Sequence, residues 1–141
     1  AAKYNVPCIL MHKREKEPYF DLMNNILMEL IDSVNIALDA GVKRENIILD
    51  PGIGFAKTYE ENLEVMNNLE KIVNVGFPVL LGTSRKSMIG LALDLPVENR
   101  LEGTIATTVT GVMKGCKIVR VHDVLENKRA CVMADKILSK K

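Results

Sequence analysis

Asn46-Ile47-Ile48-Leu49-Asp50-Pro51-Gly52-Ile53-Gly54-Phe55-Ala56-Lys57-Thr58 is the stretch on which the fold turns. An apolar run of strand length ends on a carboxylate, and a glycine-rich turn follows before a new polar segment begins. Three other runs do the same. Val6 to Met11 leads into His12-Lys13-Arg14, Pro78 to Leu81 into Gly82-Thr83-Ser84-Arg85-Lys86-Ser87, and Lys117 to Val121 into His122-Asp123. Buried strands that end in charged or glycine-rich turns, repeated at similar spacing, are how a parallel α/β protein gathers a site at one face. Four matching strand ends predict one shared pocket.

Between these runs the sequence reads as helix. From Tyr19 to Ala40, Leu22, Ile26, Leu30, Val34 and Leu38 recur every fourth position, widened by Met23, Leu27, Ile31 and Ala37, with Gly41 as the stop. Thr58 with Glu60-Glu61 reads as an N-cap with first-turn acids, and Leu63, Met66, Leu69 and Val73 as the buried face behind it. A short helix is expected from Lys86 to Leu93, a longer one from Val97 to Lys114, and a last one from Leu125 to Leu138 with Lys136, Lys140 and Lys141 at its C-terminal end. The organisation is β-α four times over, without a linker. Four units are half of an eight-unit barrel, which typically needs ~250 residues. A small doubly wound sheet is the alternative. Chemistry at every strand end, rather than at one switch point, favours the half barrel.

Composition narrows the function. The 141 residues are 48% hydrophobic, enough for one domain with a core, and 19 basic residues balance 18 acidic ones. No broad basic surface results, there is no Trp, and aromatic content is 4%, so nucleic acid is not the expected partner. Cys8, Cys116 and Cys131 are odd in number and widely spaced in apolar context, unlike a zinc site. They read as small buried hydrophobes of a reducing, cytoplasmic compartment. No apolar run approaches the ~20 residues of a membrane span, and no signal peptide is visible. The sequence opens on Ala1-Ala2 without an initiator Met and is expected to be cut from something longer.

Each cluster has a chemical reading. Asp50 emerges at a strand's carboxyl end, where a carboxylate accepts two parallel hydrogen bonds from adjacent N–H and NH₂ donors. Phe55 offers an apolar face to a flat ligand. The Gly82 to Ser87 turn presents backbone N–H groups at a helix start, and Lys86 is a compact cation for a carbonyl or ring nitrogen. It lacks the spacing of a nucleotide P-loop. Arg120 and His122 alternate on one face of the last strand, with Val119 and Val121 on the other, and form a candidate phosphate clamp. His122 also has a reading as a satisfied core residue, and Asp123 as its orienter or as a helix cap. Met11 packs against a ligand or the barrel interior, whereas His12, Lys13 and Arg14 read as a solvated turn.

Taken together, Leu10-Met11-His12, the Leu49 to Thr58 string, Gly82 to Ser87 with Ile89-Gly90, Arg100 with Gly103-Thr104, and Arg120-Val121-His122-Asp123-Val124 resemble the dihydropteroate synthases, the pterin-binding enzymes of folate biosynthesis. The order and spacing match over essentially the whole chain. The resemblance implies an α/β (β/α)₈ TIM barrel, of which residues 1–141 correspond to strands five to eight with their helices, the C-terminal half. It implies condensation of 6-hydroxymethyl-7,8-dihydropterin diphosphate with 4-aminobenzoate, releasing pyrophosphate. Asp50 would hold the pterin's amino-pyrimidinone edge, Lys86 its carbonyl side, and Met11 and Phe55 its slot, with Gly82 also among the substrate-binding residues. Arg120 and His122 would hold the diphosphate, and Ser87 the aminobenzoate carboxylate that sulfonamides mimic. Lys86, Arg120 and His122 are thus the implied catalytic groups.

Magnesium is the implied cofactor, with its ligands in the N-terminal half and none in this chain. A homodimer through the last helices is implied for the full-length enzyme. Ala56 and Met88 depart from the Gly and Phe frequent in the family, both as changes conservative in role. A pterin-binding methyltetrahydrofolate methyltransferase is a competing reading, and so is a non-catalytic half-barrel binding module.

Overall fold

The computed structural model describes residues 1–14 and 18–140, so the expected contribution of Lys141 to the last helix lies outside the described residues. Strands β1 (Cys8–Met11) and β2 (Ile47–Asp50) pair in parallel, from Cys8 beside Ile47 to Met11 beside Asp50. Strands β3 (Leu80–Leu81) and β4 (Ile118–Val119) also pair in parallel, and a parallel bridge from Leu49 to Val79 joins the two sheets. The strands therefore follow one another in chain order, β1-β2-β3-β4. That order is the product of repeated crossovers through the helices α1 (Leu22–Asp39), α2 (Tyr59–Asn67), α3 (Leu69–Val73), α4 (Ser87–Leu93) and α5 (Leu101–Met113). Helix α6 (Val124–Leu138) closes the last unit and packs on α5, where buried Thr108 donates to Oδ1 of buried Asn127 at 2.8 Å.

Strand alternation separates two faces. Ile47, Leu49, Val79 and Leu81 are buried, in one core with Ile26, Leu30 and Val34 of α1 and with Val65, Leu69 and Ile72 of α2 and α3. On the other face Ile9 is 52% exposed, Met11 38%, and Ile48 and Asp50 are partly open. The polar strand ends rise from the rim between those faces.

Helix boundaries depart from the expected ones for local reasons. Helix α1 starts at Leu22 rather than Tyr19, because Asp21 takes the cap position and accepts from the Asn24 N–H. Its stripe is narrower than expected, with Ile31 and Leu38 exposed. A spacing of four advances about 40° past a full turn at each step, so a row extended from Leu22 has rotated out of the core by Leu38. The helix after Thr58 breaks at Asn68, whose side chain donates to the Glu64 carbonyl and whose backbone leaves helical geometry (φ −117°, ψ 20°). Leu63 is exposed and Val73 half-buried, while Asn62, Val65 and Ile72 join Met66 and Leu69 inside. The Thr58 cap is a full capping box with Glu61. Val97 to Asn99 form a separate 3₁₀ turn, and α5 begins only after Arg100. Cys116 is buried, whereas Cys8 and Cys131 are half-buried, and all three are free thiols.

Candidate active site

The loop after β2 is built around Asp50. Its Oδ1 accepts the Gly52 N–H at 2.8 Å, which fixes the carboxylate over the turn and leaves Oδ2 open. Gly52 sits at φ +69°, and a Cβ on it would lie 1.9 Å from the His12 carbonyl oxygen, so no other residue fits. Further along, Asn62 holds the loop from below. It accepts the Gly54 N–H at 2.7 Å and donates to the carbonyls of Lys57 and Thr58. Ala56 lies at φ +50°, in left-handed space. An L side chain there costs about 1–2 kcal/mol, so Ala where the resemblance implies Gly is conservative in size but not for the backbone.

Burial raises the Asp50 carboxyl above the ordinary range, opposed by the Gly52 amide and by the charges of Lys86, Lys57 and Arg120. Those influences reach across three strand ends. Lys86 donates to the Ile53 carbonyl and stands 4.7 Å from the centre of the Phe55 ring, which is itself 40% exposed. Burial lowers the Lys86 ammonium, Asp50 raises it, and Arg120 lowers it. Gly82, Ser84, Lys86, Arg120, Val121 and His122 line one cleft. Met11 is the direct strand neighbour of Asp50. The structure therefore brings Met11, Asp50, Gly82, Phe55, Lys86, Arg120 and His122 to one end of the parallel strands. Ser87 opens α4 on the same loop and is exposed.

Arg120 and His122 are both exposed, which removes the core reading of His122. Its Nδ1 meets the hydroxyl of Ser84 at 2.7 Å, and that same oxygen accepts the His122 backbone N–H at 3.1 Å. The ring is thereby oriented, and among the described residues Nε2 has no hydrogen-bond partner. Pairing in β4 ends at Val119, so the chain turns after it and Val121 reaches the cleft instead of facing only the opposite layer.

Two further expectations are corrected. Asp123 neither orients His122 nor caps α6 through its side chain. It forms a two-point ion pair with Arg85, at 2.7 and 3.2 Å. His12 is not in a solvated turn. It is 3% exposed, its Nε2 meets Glu29 at 2.7 Å, and Arg14 binds the same carboxylate while stacking on Tyr19.

Sequence reading missed Glu29, Asn62 and Ser84. Glu29 and Asn62 sit inside helices, where a polar residue reads as solvated until the strand-end loop that covers it is known. Ser84 stood within the quoted string, but a hydroxyl carries no directional signal in sequence. Among the described residues no group of three or more His, Cys, Asp or Glu side chains is placed to hold a metal ion, and no helix is long and apolar enough to cross a membrane.

Comparison with known proteins gives this arrangement a lineage. The pterin-binding enzyme family matches residues 1–122. The chain belongs to that family. Over 139 residues it is 69% identical to the dihydropteroate synthase of Clostridium beijerinckii, a match covering 98% of this chain and 52% of that protein. The dihydropteroate synthase of Bacillus subtilis is 57% identical over 99% of this chain and 49% of its own length. Among solved structures, a dihydropteroate synthase from Clostridium difficile, determined in the presence of pteroic acid, superposes with a TM-score of 0.94 at 47% identity. It is matched over 96% of this chain and 52% of that one. A Yersinia pestis dihydropteroate synthase in a sulfonamide drug complex gives 0.95 at 34%, over 99% and 54%. The chain thus spans about half the length of the pterin-binding relatives it matches, in agreement with the C-terminal half expected from its motifs.

Proposed function

We propose that residues 1–141 are strands five to eight, with their helices, of a (β/α)₈ dihydropteroate synthase. The complete enzyme would condense 6-hydroxymethyl-7,8-dihydropterin diphosphate with 4-aminobenzoate to give 7,8-dihydropteroate and pyrophosphate. The observation that carries this reading is one strand-end cleft lined by the Lys86 ammonium and the Arg120–His122 pair, with the Asp50 carboxylate at the same end of the strands and within the electrostatic reach of Lys86 and Arg120.

Asp50 would accept the adjacent donors of the pterin's amino-pyrimidinone edge, and Lys86 would face its carbonyl side while Phe55 and Met11 line the ring. Arg120 and His122 would hold the diphosphate. The amine nitrogen attacks the methylene carbon as the carbon–oxygen bond to the diphosphate breaks, and the amine then loses a proton. No protein nucleophile takes part. The protein's contribution is fixed positive charge where the leaving group gains negative charge, together with alignment of two bound reactants.

The cleft donors of this chain do not suit a magnesium ion. Lys86 and Arg120 repel a divalent cation, and one carboxylate oxygen of Asp50 with one ring nitrogen of His122 falls short of the octahedral oxygen coordination that magnesium demands. Magnesium ligands would belong to the other half of the barrel. The family reading places the enzyme in the cytoplasm as a homodimer, with neither nucleic acid nor membrane as a partner. The exposed Val132, Met133 and Ile137 of α6 offer a surface for such pairing.

The test is pyrophosphate release by the full-length parent given both substrates. A parent that binds the pterin diphosphate yet releases nothing on addition of 4-aminobenzoate would overturn the assignment. In the same assay Ser87→Ala is expected to raise the KM for 4-aminobenzoate about tenfold, the order of one hydrogen bond to a charged group. The pterin KM should stay within about twofold. Unchanged aminobenzoate kinetics would remove Ser87 from that seat.

A further inference from the structure

Lys57 belongs to the glycine-rich string, yet no substrate contact is assigned to it. Its ammonium donates to the Gly52 carbonyl at 3.0 Å and to the Phe55 carbonyl at 3.2 Å, and it meets His12 Nδ1 at 3.0 Å. Three acceptors saturate the three N–H groups of an ammonium. Two of those acceptors are the backbone of the turn that carries Asp50 and Phe55. The third is a buried ring whose other nitrogen is held by Glu29 of α1, and Glu29 is held in turn by Arg14. The His12 N–H also donates to the Asp50 carbonyl at 2.9 Å.

We propose that Lys57 is a positioning residue, locking the Asp50–Phe55 turn to α1 through His12 and Glu29 so that carboxylate and ring meet the pterin in register. This inference rests on the pterin reading above. With Lys57 donating to Nδ1, His12 is the neutral Nε2–H tautomer and donates to the Glu29 carboxylate. Burial lowers the His12 imidazole, as do Lys57 and Arg14, against the opposing pull of Glu29. Burial also brings the Lys57 ammonium down to about 8, although Asp50, Glu61 and Glu29 hold it up. The charge that remains supports ionised Asp50. A solvated lysine would do none of this, because its three donors would face water instead of the turn.

The test uses the full-length enzyme that carries this chain, with pteroic acid as the titrated probe and hydrogen exchange followed over residues 47–58. Lys57→Met is expected to weaken pteroic acid binding about tenfold and to speed exchange of the turn amides, Gly52 above all. The KM for 4-aminobenzoate should stay within about twofold. His12→Gln should produce a smaller loss in the same direction. The double variant should be no worse than Lys57→Met alone, because both act through one chain of contacts. Should Lys57→Met not fold, Lys57→Gln, which keeps one donor group, is read in its place. Binding and exchange unchanged from the wild type would overturn the proposal. A wild type that binds no pteroic acid would instead defeat the pterin reading, and the exchange data alone would then judge the clamp.

Discussion

Asp50→Asn is expected to weaken pterin binding by 10² to 10³, about 3–4 kcal/mol, while leaving the fold at least as stable as before. The two halves of that expectation have one origin. A carboxylate presents two acceptors to the adjacent N–H and NH₂ of the pterin edge, whereas an amide presents one acceptor and one NH₂. One of the two contacts then sets donor against donor, and a site built for such a pair rejects a mismatch by far more than the mean value of a hydrogen bond. Within the protein the Asn oxygen still accepts from Gly52, so the turn keeps its internal bond.

Stability moves the other way. Burial raises the Asp50 carboxyl despite three nearby cations, so the folded chain holds that proton to a higher pH than the unfolded chain does. Such a group favours the fold most below its unfolded value, and that support is lost as pH rises through the raised value. At neutral pH the charge, which the proposed pterin contact would use, weakens the fold, and Asn removes it. Titration with pteroic acid and thermal melting at pH 5 and pH 7 check both halves. The melting gain of Asp50→Asn over wild type should be larger at pH 7 than at pH 5. A variant that binds as wild type does would show that the carboxylate is not the pterin's acceptor.

Much of this site is written in local sequence, because strand-end turns are local. The register that sets Met11 beside Asp50, the glycine at φ +69° and the Thr58 capping box each depend on residues within one or two elements. What sequence could not supply was partner choice across the fold. His12-Lys13-Arg14 has the composition of a solvated turn, and only the approach of Glu29 from α1 and Lys57 from the next unit makes His12 buried and bonded at both nitrogens. Asp123 likewise precedes a helix and reads as its cap, until Arg85 arrives from the neighbouring strand end with two charge-assisted bonds. Ala56 shows the limit of substitution logic. Its role as a small residue is kept, but the positive φ that makes Gly preferable is a property of the backbone and not of the letter.

The 141-residue chain by itself is expected to give no synthase turnover, at least 10³-fold below its full-length parent, and to self-associate. Ile9 and Met11 lie on the open face of the strands, 52% and 38% exposed, and covering side chains of this kind is worth about 1.5–3 kcal/mol each. Among the described residues β1 and β4 each have a strand neighbour on one side only, which leaves an edge that templates pairing with another chain. The catalytic penalty comes from the same openness. Arg120 and His122 face water, and a charge in high dielectric stabilises a departing diphosphate far less than one in a closed, dry cleft. Light scattering on the purified chain, followed by pyrophosphate release from any monomer fraction, decides the matter. If the proposed barrel is right, addition of its other half as a separate polypeptide should restore measurable release, because that half would cover Ile9 and Met11 and dry the cleft. Turnover by the monomer at a rate near that of the parent would mean that these four strand ends are sufficient for the chemistry and that enclosure contributes little to it.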